Sequence, residues 1–319
     1  MNKKAVCFGG GSAVPKTILT PLKRYSVDIT AITSMVDNGG STGQLRADFS
    51  VLPPGDIRRH ILALSEAPDW KKDFWQFRFG HETFDGGHKG HSFSNVFIAG
   101  LEISLRDYSK VLEVVNEFME VKGKALPATV KQTRVCAELE SGEIIKGENE
   151  IDFPQKHNPD LKIKKVFLEP EVNAYQPSLD AIIEADLIII GPGDLYSSII
   201  PCFLMKGMKE AFSKTKAKKI MVCNTMTKHG ETDNFSVLDF ANETEKYIGC
   251  PLDFIIYNVE IPPIERISKY KREELGILDM VKINKNLDNK KFIGSEILTD
   301  NGPIVYNPDE LMKIIMRLI

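Results

Sequence analysis

Four segments of this chain crowd glycines, hydroxyls and acids together, and each stands directly behind a short apolar run. FGGGSA follows residues 4–8, VDNGGSTG closes 29–36, GPGDLYSS follows 186–190, and NTMTKHGET follows 219–223. Nearly continuous apolar runs of this length, separated by helical patterns, read as strands of a parallel sheet covered on both faces. In such a sheet the C-terminal strand ends share one edge, and ligands bind there near the point where strand order reverses. The spacing therefore predicts a Rossmann-like, three-layer α/β/α fold with one site built from four loops.

The remaining chain fits a single α/β domain over 1–319. Helical spacing covers 57–64, with Asp56 at or near its N-cap, and helices are expected over 92–105, 107–121, 201–213 and 308–319. Near Pro127 the character changes. Residues 129–139 and 143–151 flank Glu140-Ser141-Gly142, a hairpin signal, and 162–168 suits a third strand. Residues 125–170 thus read as a small β-rich insertion. The formal net charge of -3 over 319 residues supplies no basic field for nucleic acid. The longest later apolar run, 187–190, is far too short for membrane insertion. Five cysteines without a C-x-x-C pair suit a reducing cytoplasm.

The first loop, Gly9-Gly10-Gly11-Ser12, is not a dinucleotide fingerprint, because the third glycine of G-x-G-x-x-G falls on Val14. Its backbone N–H groups can still approach a phosphate at a helix N-terminus. In the second loop Asp37 stands where Rossmann-like proteins place an acid for a ribose hydroxyl. Asn38, Gly39, Gly40, Ser41 and Thr42 then set hydroxyls and amides beside it, a group suited to Mg²⁺ or to orienting an attacking hydroxyl. The bland alternative is an Asx turn. Arg46, Arg58 and Arg59 offer forked donors for phosphate. Arg58 and Arg59 are neighbours on one helix, so no more than one is expected to point inward. Gly191, Gly193, Asp194, Tyr196, Ser197 and Ser198 in the third loop, and Asn224, Thr225 and Thr227 in the fourth, again join flexible backbone to polar side chains. His81, His88 and His91, with Glu82 and Asp85, match no structural zinc spacing, so no transition metal is expected; His91 at a helix start is a candidate phosphate contact. Phe74, Trp75, Phe77, Phe79 and Phe84 either wall an apolar slot or cover the core.

In order along the chain, GGGSA, VDNGGSTGQLR, PPGDIRRHILALSE, GHSFSNVFIAGLE, GPGDLYSSIIP and NTMTKHGET resemble the CofD-like superfamily, in particular its gluconeogenesis-factor branch. The likeness runs over about residues 4–260. It implies a nucleotide site including Gly9–Gly11 and the Asp37 loop, with Asn95 in the GHSFSN segment. Asn38 stands where a second aspartate is usual, Thr42 for a serine and Ser94 for a glycine. The superfamily's 2-phospho-L-lactate transferase joins phospholactate from a guanylylated donor to a deazaflavin with a divalent metal, for which Asp37 would be ligand or base here. The gluconeogenesis-factor branch implies instead binding of a nucleotide sugar such as UDP-N-acetylglucosamine, a role in carbon metabolism and cell shape, and a homodimer.

Overall fold

The two most apolar runs lie side by side at the centre of the sheet. In the computed structural model, which describes residues 2–80 and 90–318, β1 (Lys3–Phe8) pairs in parallel with β2 (Val27–Thr33) on one side. On its other side it pairs with the strand Leu187–Ile190, all four residues of which are buried. In chain order the remaining strands are β3 (Lys124–Pro127), β4 (Arg134–Leu139), β5 (Ile144–Lys146), β6 (Ile163–Glu169), β7 (the Leu187–Ile190 strand), β8 (Lys218–Val222), β9 (Met226–Lys228), β10 (Phe254–Asn258), β11 (Ile277–Met280) and β12 (Phe292–Ser295). The main sheet runs β12-β10-β8-β7-β1-β2-β3, parallel throughout and flanked by helices. The chain moves outward from β1 to β3, returns to β7 and moves outward the other way, so the order reverses between β1 and β7. Phe8 stands opposite both Ile32 and Ile190, which brings three strand ends level at one edge.

Burial locks this arrangement. Phe8 packs against Phe203 and Phe212 at ring-centroid distances of 5.2 and 5.5 Å. Trp75 is fully buried near Phe97 and Phe118 and donates its indole N–H to the Arg58 carbonyl, so it covers the core. A fully buried aromatic contributes roughly 1.5–3 kcal/mol. Phe84, His81, His88, Glu82 and Asp85 lie outside the described residues.

Several elements differ from expectation for identifiable reasons. The second strand ends at Thr33, not Val36, because its neighbours β1 and β3 pair only as far as Ile32 and Thr33. Lys124–Pro127 belongs to the main sheet, so the added layer is the antiparallel β5-β4-β6 sheet that begins at Arg134. The strand expected over 143–151 stops at Lys146 and turns into the helix Glu148–Asp152. The helix expected over 201–213 is broken into a 3-10 turn (Ile200–Phe203) and the helix Met208–Lys214, with a π turn (Leu195–Ile199) ahead of them. The polar segment after β8 contains β9, which pairs with β11. Among the described residues no helix is long and apolar enough to cross a membrane.

Candidate functional site

A cavity of about 890 Å³ opens at the C-terminal edge beside the β1–β7 reversal, within the size range of small-molecule sites. The loop after β1 supplies Gly11 and Ser12, the loop after β2 supplies Asp37 and Gly39 to Thr42, and the segment after β7 supplies Asp194 and Ser198. The helix Pro54–Leu64 adds Asp56, Arg58 and Arg59, and the helix Phe93–Leu105 adds Asn95. Arg78 completes the basic wall. Glu148, Asn149, Asp152 and Phe153 enter from the antiparallel layer.

Asp56 organises the first loop. It lies in the first turn of its helix, whose N-cap is Pro53, and its Oδ1 accepts from the Gly11 N–H at 2.9 Å and from Arg59 Nη1 at 2.7 Å. A Cβ on Gly10 would come within 2.6 Å of Asp56 Oδ2, so the backbone there can approach the carboxylate only because the residue is glycine. Both Arg58 and Arg59 line the cavity, contrary to the expectation that adjacency would send one away. The helix meets the cavity with its N-terminal turns, so two neighbouring faces flank one opening.

The Asp37 loop is built as an Asx turn, with Gly39 N–H donating to Asp37 Oδ1 at 2.9 Å, yet the carboxylate still faces the cavity. Burial, with the Asp56 charge adding, raises the Asp37 carboxyl above its ordinary range against the pull of the Gly39 amide, Arg59 and Thr42. Glu148 is raised well above the usual value by burial and then by Asp37 and Asp152. Ser41 Oγ is held by His91 Nδ1 at 2.8 Å and by Asn95 Nδ2 at 3.1 Å. Asp37, Glu148, Ser41 and Thr42 all line the cavity as oxygen donors, the ligand chemistry a hard divalent cation such as Mg²⁺ prefers.

A second charge cluster reaches the cavity through Asp152 and Asp194 and continues behind it to Lys228 and Glu231. Oxygens of Asp152, Asp194 and Glu231 lie within 4.8 Å of one another, near enough to hold a metal ion. The Lys228 ammonium meets all three, at 2.9 Å from Asp194, 3.7 Å from Glu231 and in direct contact with Asp152. Burial pulls that ammonium down, but the three carboxylates outweigh it and hold it above its ordinary value. Glu231 also accepts from the Tyr196 and Ser197 amides and the Ser197 hydroxyl. Burial and Asp194 push it to about 7 despite Lys228.

Other nominated residues serve the walls. Arg46 does not reach the cavity, because its guanidinium donates to the Val36, Asp37 and Thr133 carbonyls. Asn38 turns away to accept from Asn149 N–H at 2.9 Å. Tyr196 and Ser197 are buried on Glu231. Asn224 Oδ1 accepts from Gly193 N–H, while Thr225 and Thr227 donate to the Ile304 and Asp279 carbonyls. Gly9 and Gly191 are buried in backbone bonds to Ile32 and Phe8. Three loops thus line the cavity, and the fourth supports it from behind. Glu148 and Asp152 were missed because the helix that puts them on one face is only five residues long.

The sequence matches the family described as 2-phospho-L-lactate transferase CofD over residues 5–297. The chain belongs to the CofD family. Among CofD-family relatives, the gluconeogenesis factor of Bacillus subtilis is 36% identical over 302 residues, covering 93% of this chain and 90% of that one. That of Listeria innocua is 33% identical over 324 residues, covering 99% and 95%. A crystal structure of a UPF0052-family protein from Bacillus halodurans superposes with a TM-score of 0.88 at 31% identity, covering 99% of both chains.

Proposed function

We propose that the cavity binds a nucleotide-containing small molecule, a nucleotide sugar or a dinucleotide, and that this binding lets the chain regulate central carbon metabolism or envelope synthesis and cell shape. One observation carries the reading. The cavity sits at the strand-order reversal, where glycine-rich backbone and hydroxyls from β1, β2 and β7 face the wall of Arg58, Arg59 and Arg78. Backbone amides and forked guanidinium groups are phosphate donors, and Asp37 is placed to accept from a ribose or sugar hydroxyl. The name gluconeogenesis factor, carried by relatives over nearly their whole length, supports the metabolic side.

The oxygen donors around Asp37 favour a second reading, a transferase acting on a nucleoside diphosphate donor. Asp37 and Glu148 would hold the divalent cation, which supplies charge neutralisation at a leaving phosphate when bound. Where Glu148 alone holds the cation, Asp37, raised by burial, would instead take the proton of an acceptor hydroxyl. An aromatic slot for a deazaflavin has less support. Phe74, Trp75, Phe77 and Phe79 are away from the cavity, and Phe153 is the one aromatic lining it among the described residues.

Thermal unfolding with UDP-N-acetylglucosamine, NAD, GDP and a deazaflavin, each with and without Mg²⁺, separates the readings. A ligand at about a hundredfold excess over its dissociation constant adds about 2.7 kcal/mol. Stabilisation by the nucleotide sugar or NAD without metal supports the regulator. Metal-dependent stabilisation by GDP with deazaflavin, lost in Asp37→Ala, supports the transferase. No shift with any nucleotide would reject both.

A further inference from the structure

A second cavity, of about 600 Å³, adjoins the first and shares with it Ser12, Arg58, Arg59 and Arg78. Its charged lining is of one sign. Lys16, Lys23, Arg58, Arg59, Lys72 and Arg78 face it, and among the described residues no carboxylate does. Ser12, Thr20, Ser65 and Gln76 add neutral polar groups.

Among the described residues, few of these cations have a carboxylate in ion-pair contact, although Glu66 pulls on Lys23 and Asp56 and Asp37 on Arg58. Arg59 is paired with Asp56. Lys23 donates to the Ser65 carbonyl at 2.8 Å and Arg78 to the Gly90 carbonyl at 3.3 Å, neither of which carries charge. Lys72 comes no nearer to Asp69 than 3.9 Å, and the Asp69 side chain is 98% exposed, so that pair is worth little. Arg58 is the sharpest case. It is only 8% exposed, and its Nε, buried, has no hydrogen-bond partner. Leaving a buried donor unsatisfied costs most when the group is charged. Burial lowers the Arg58 guanidinium to about 10, with Arg59 and Arg78 adding. Burial, then Lys72, lowers the Lys23 ammonium. The groove gathers like charges that repel one another, which a chain tolerates where an anion neutralises them.

We infer that this groove is a second ligand site, one that takes the phosphate or pyrophosphate group of a small molecule distinct from the occupant of the first cavity. Its anion requirement stands without the nucleotide reading. With that reading, the two ligands meet across Arg58, Arg59 and Arg78, and the protein senses a nucleotide and a phosphorylated small molecule together.

Calorimetric titration of the full chain with inorganic pyrophosphate, at fixed ionic strength and with sodium chloride as control, tests it. Lys16 and Lys72 line the groove but not the first cavity, so Lys16→Gln with Lys72→Gln should weaken pyrophosphate binding by about tenfold or more. The paired Lys→Arg changes should retain it, which excludes a folding defect. Ser41→Ala with Ser198→Ala, in the first cavity, should leave it within about twofold. Loss of pyrophosphate binding in the serine variants and not in the glutamine variants places the anion in the first cavity and overturns the inference. Absence of saturable binding to the unmodified chain does the same. Pyrophosphate binding of the expected pattern, with no nucleotide binding at all, leaves the groove assigned and rejects the nucleotide reading alone.

Discussion

Lys228 stands where three carboxylates could otherwise gather a divalent ion, and its replacement separates the two cases. Lys228→Met leaves Asp152, Asp194 and Glu231 without their cation, which should destabilise the fold by about 3–5 kcal/mol at neutral pH. Added Mg²⁺ or Ca²⁺ should recover part of that loss in the variant and leave the unmodified chain unchanged. Equal stabilisation of both would show that an ion displaces the ammonium. The same cluster sets a pH dependence. Burial raises Glu231 to about 7 and Asp152 to about 6, so between the ordinary carboxylate range and those values the folded chain binds protons that the unfolded chain has released. Stability must then fall as pH rises through that window. The unfolding temperature should decline from about pH 5 to about pH 7.5, and Glu231→Gln should flatten the decline.

At the scale of elements, close backbone contacts matter more than propensity. A Cβ on Gly43 would lie 2.1 Å from the Asn38 carbonyl oxygen, because the helix Gly40–Phe49 folds back against the turn that presents Asp37. Gly43→Ala must push the two apart. An overpacking cost of about 1–3 kcal/mol and weakened ligand binding are expected, read by denaturant unfolding and titration. Gly100 sits inside the helix Phe93–Leu105, and a Cβ there would meet nothing within 4 Å. Gly100→Ala should therefore stabilise by about 0.5–1 kcal/mol. This contrast also marks what could be read from sequence. The central strands announce themselves as apolar runs, and Phe93–Leu105 as a helix with Ser92 accepting at its cap. The helix Glu148–Asp152 is five residues long, too short for a periodic signal. It exists because Gly147 turns the chain and Asn38 meets its first turn from another part of the fold. Arg46, Tyr196 and Thr225 looked like ligand donors because their residue types suit a phosphate. Only the tertiary fold reveals that backbone carbonyls already hold the Arg46 and Thr225 side chains and that the Tyr196 ring is buried with its hydroxyl on Glu243.

At the scale of the molecule, the parallel sheet supplies the floor of the cavity and the antiparallel layer supplies one wall, so a bound ligand should couple regions far apart in sequence. One link already present between them is the Asn38 side chain, which accepts from Asn149 N–H and acts as a cap on a helix whose own preceding residue, Gly147, provides none. Loss of such a cap costs about 0.5–2 kcal/mol. Asn38→Ala should therefore loosen residues 148–153 in the free protein, faster amide exchange being the measure, while the β4–β6 pairing keeps its protection. A nucleotide that touches both layers must restore that ordering when it binds, so its affinity in the variant should drop by up to about tenfold. In the unmodified chain the same ligand should slow exchange together at 9–12, 37–43, 148–153 and 194–198. Protection confined to the first two segments would mean that the ligand rests on the sheet edge alone, and that Glu148 and Asp152 face solvent rather than ligand.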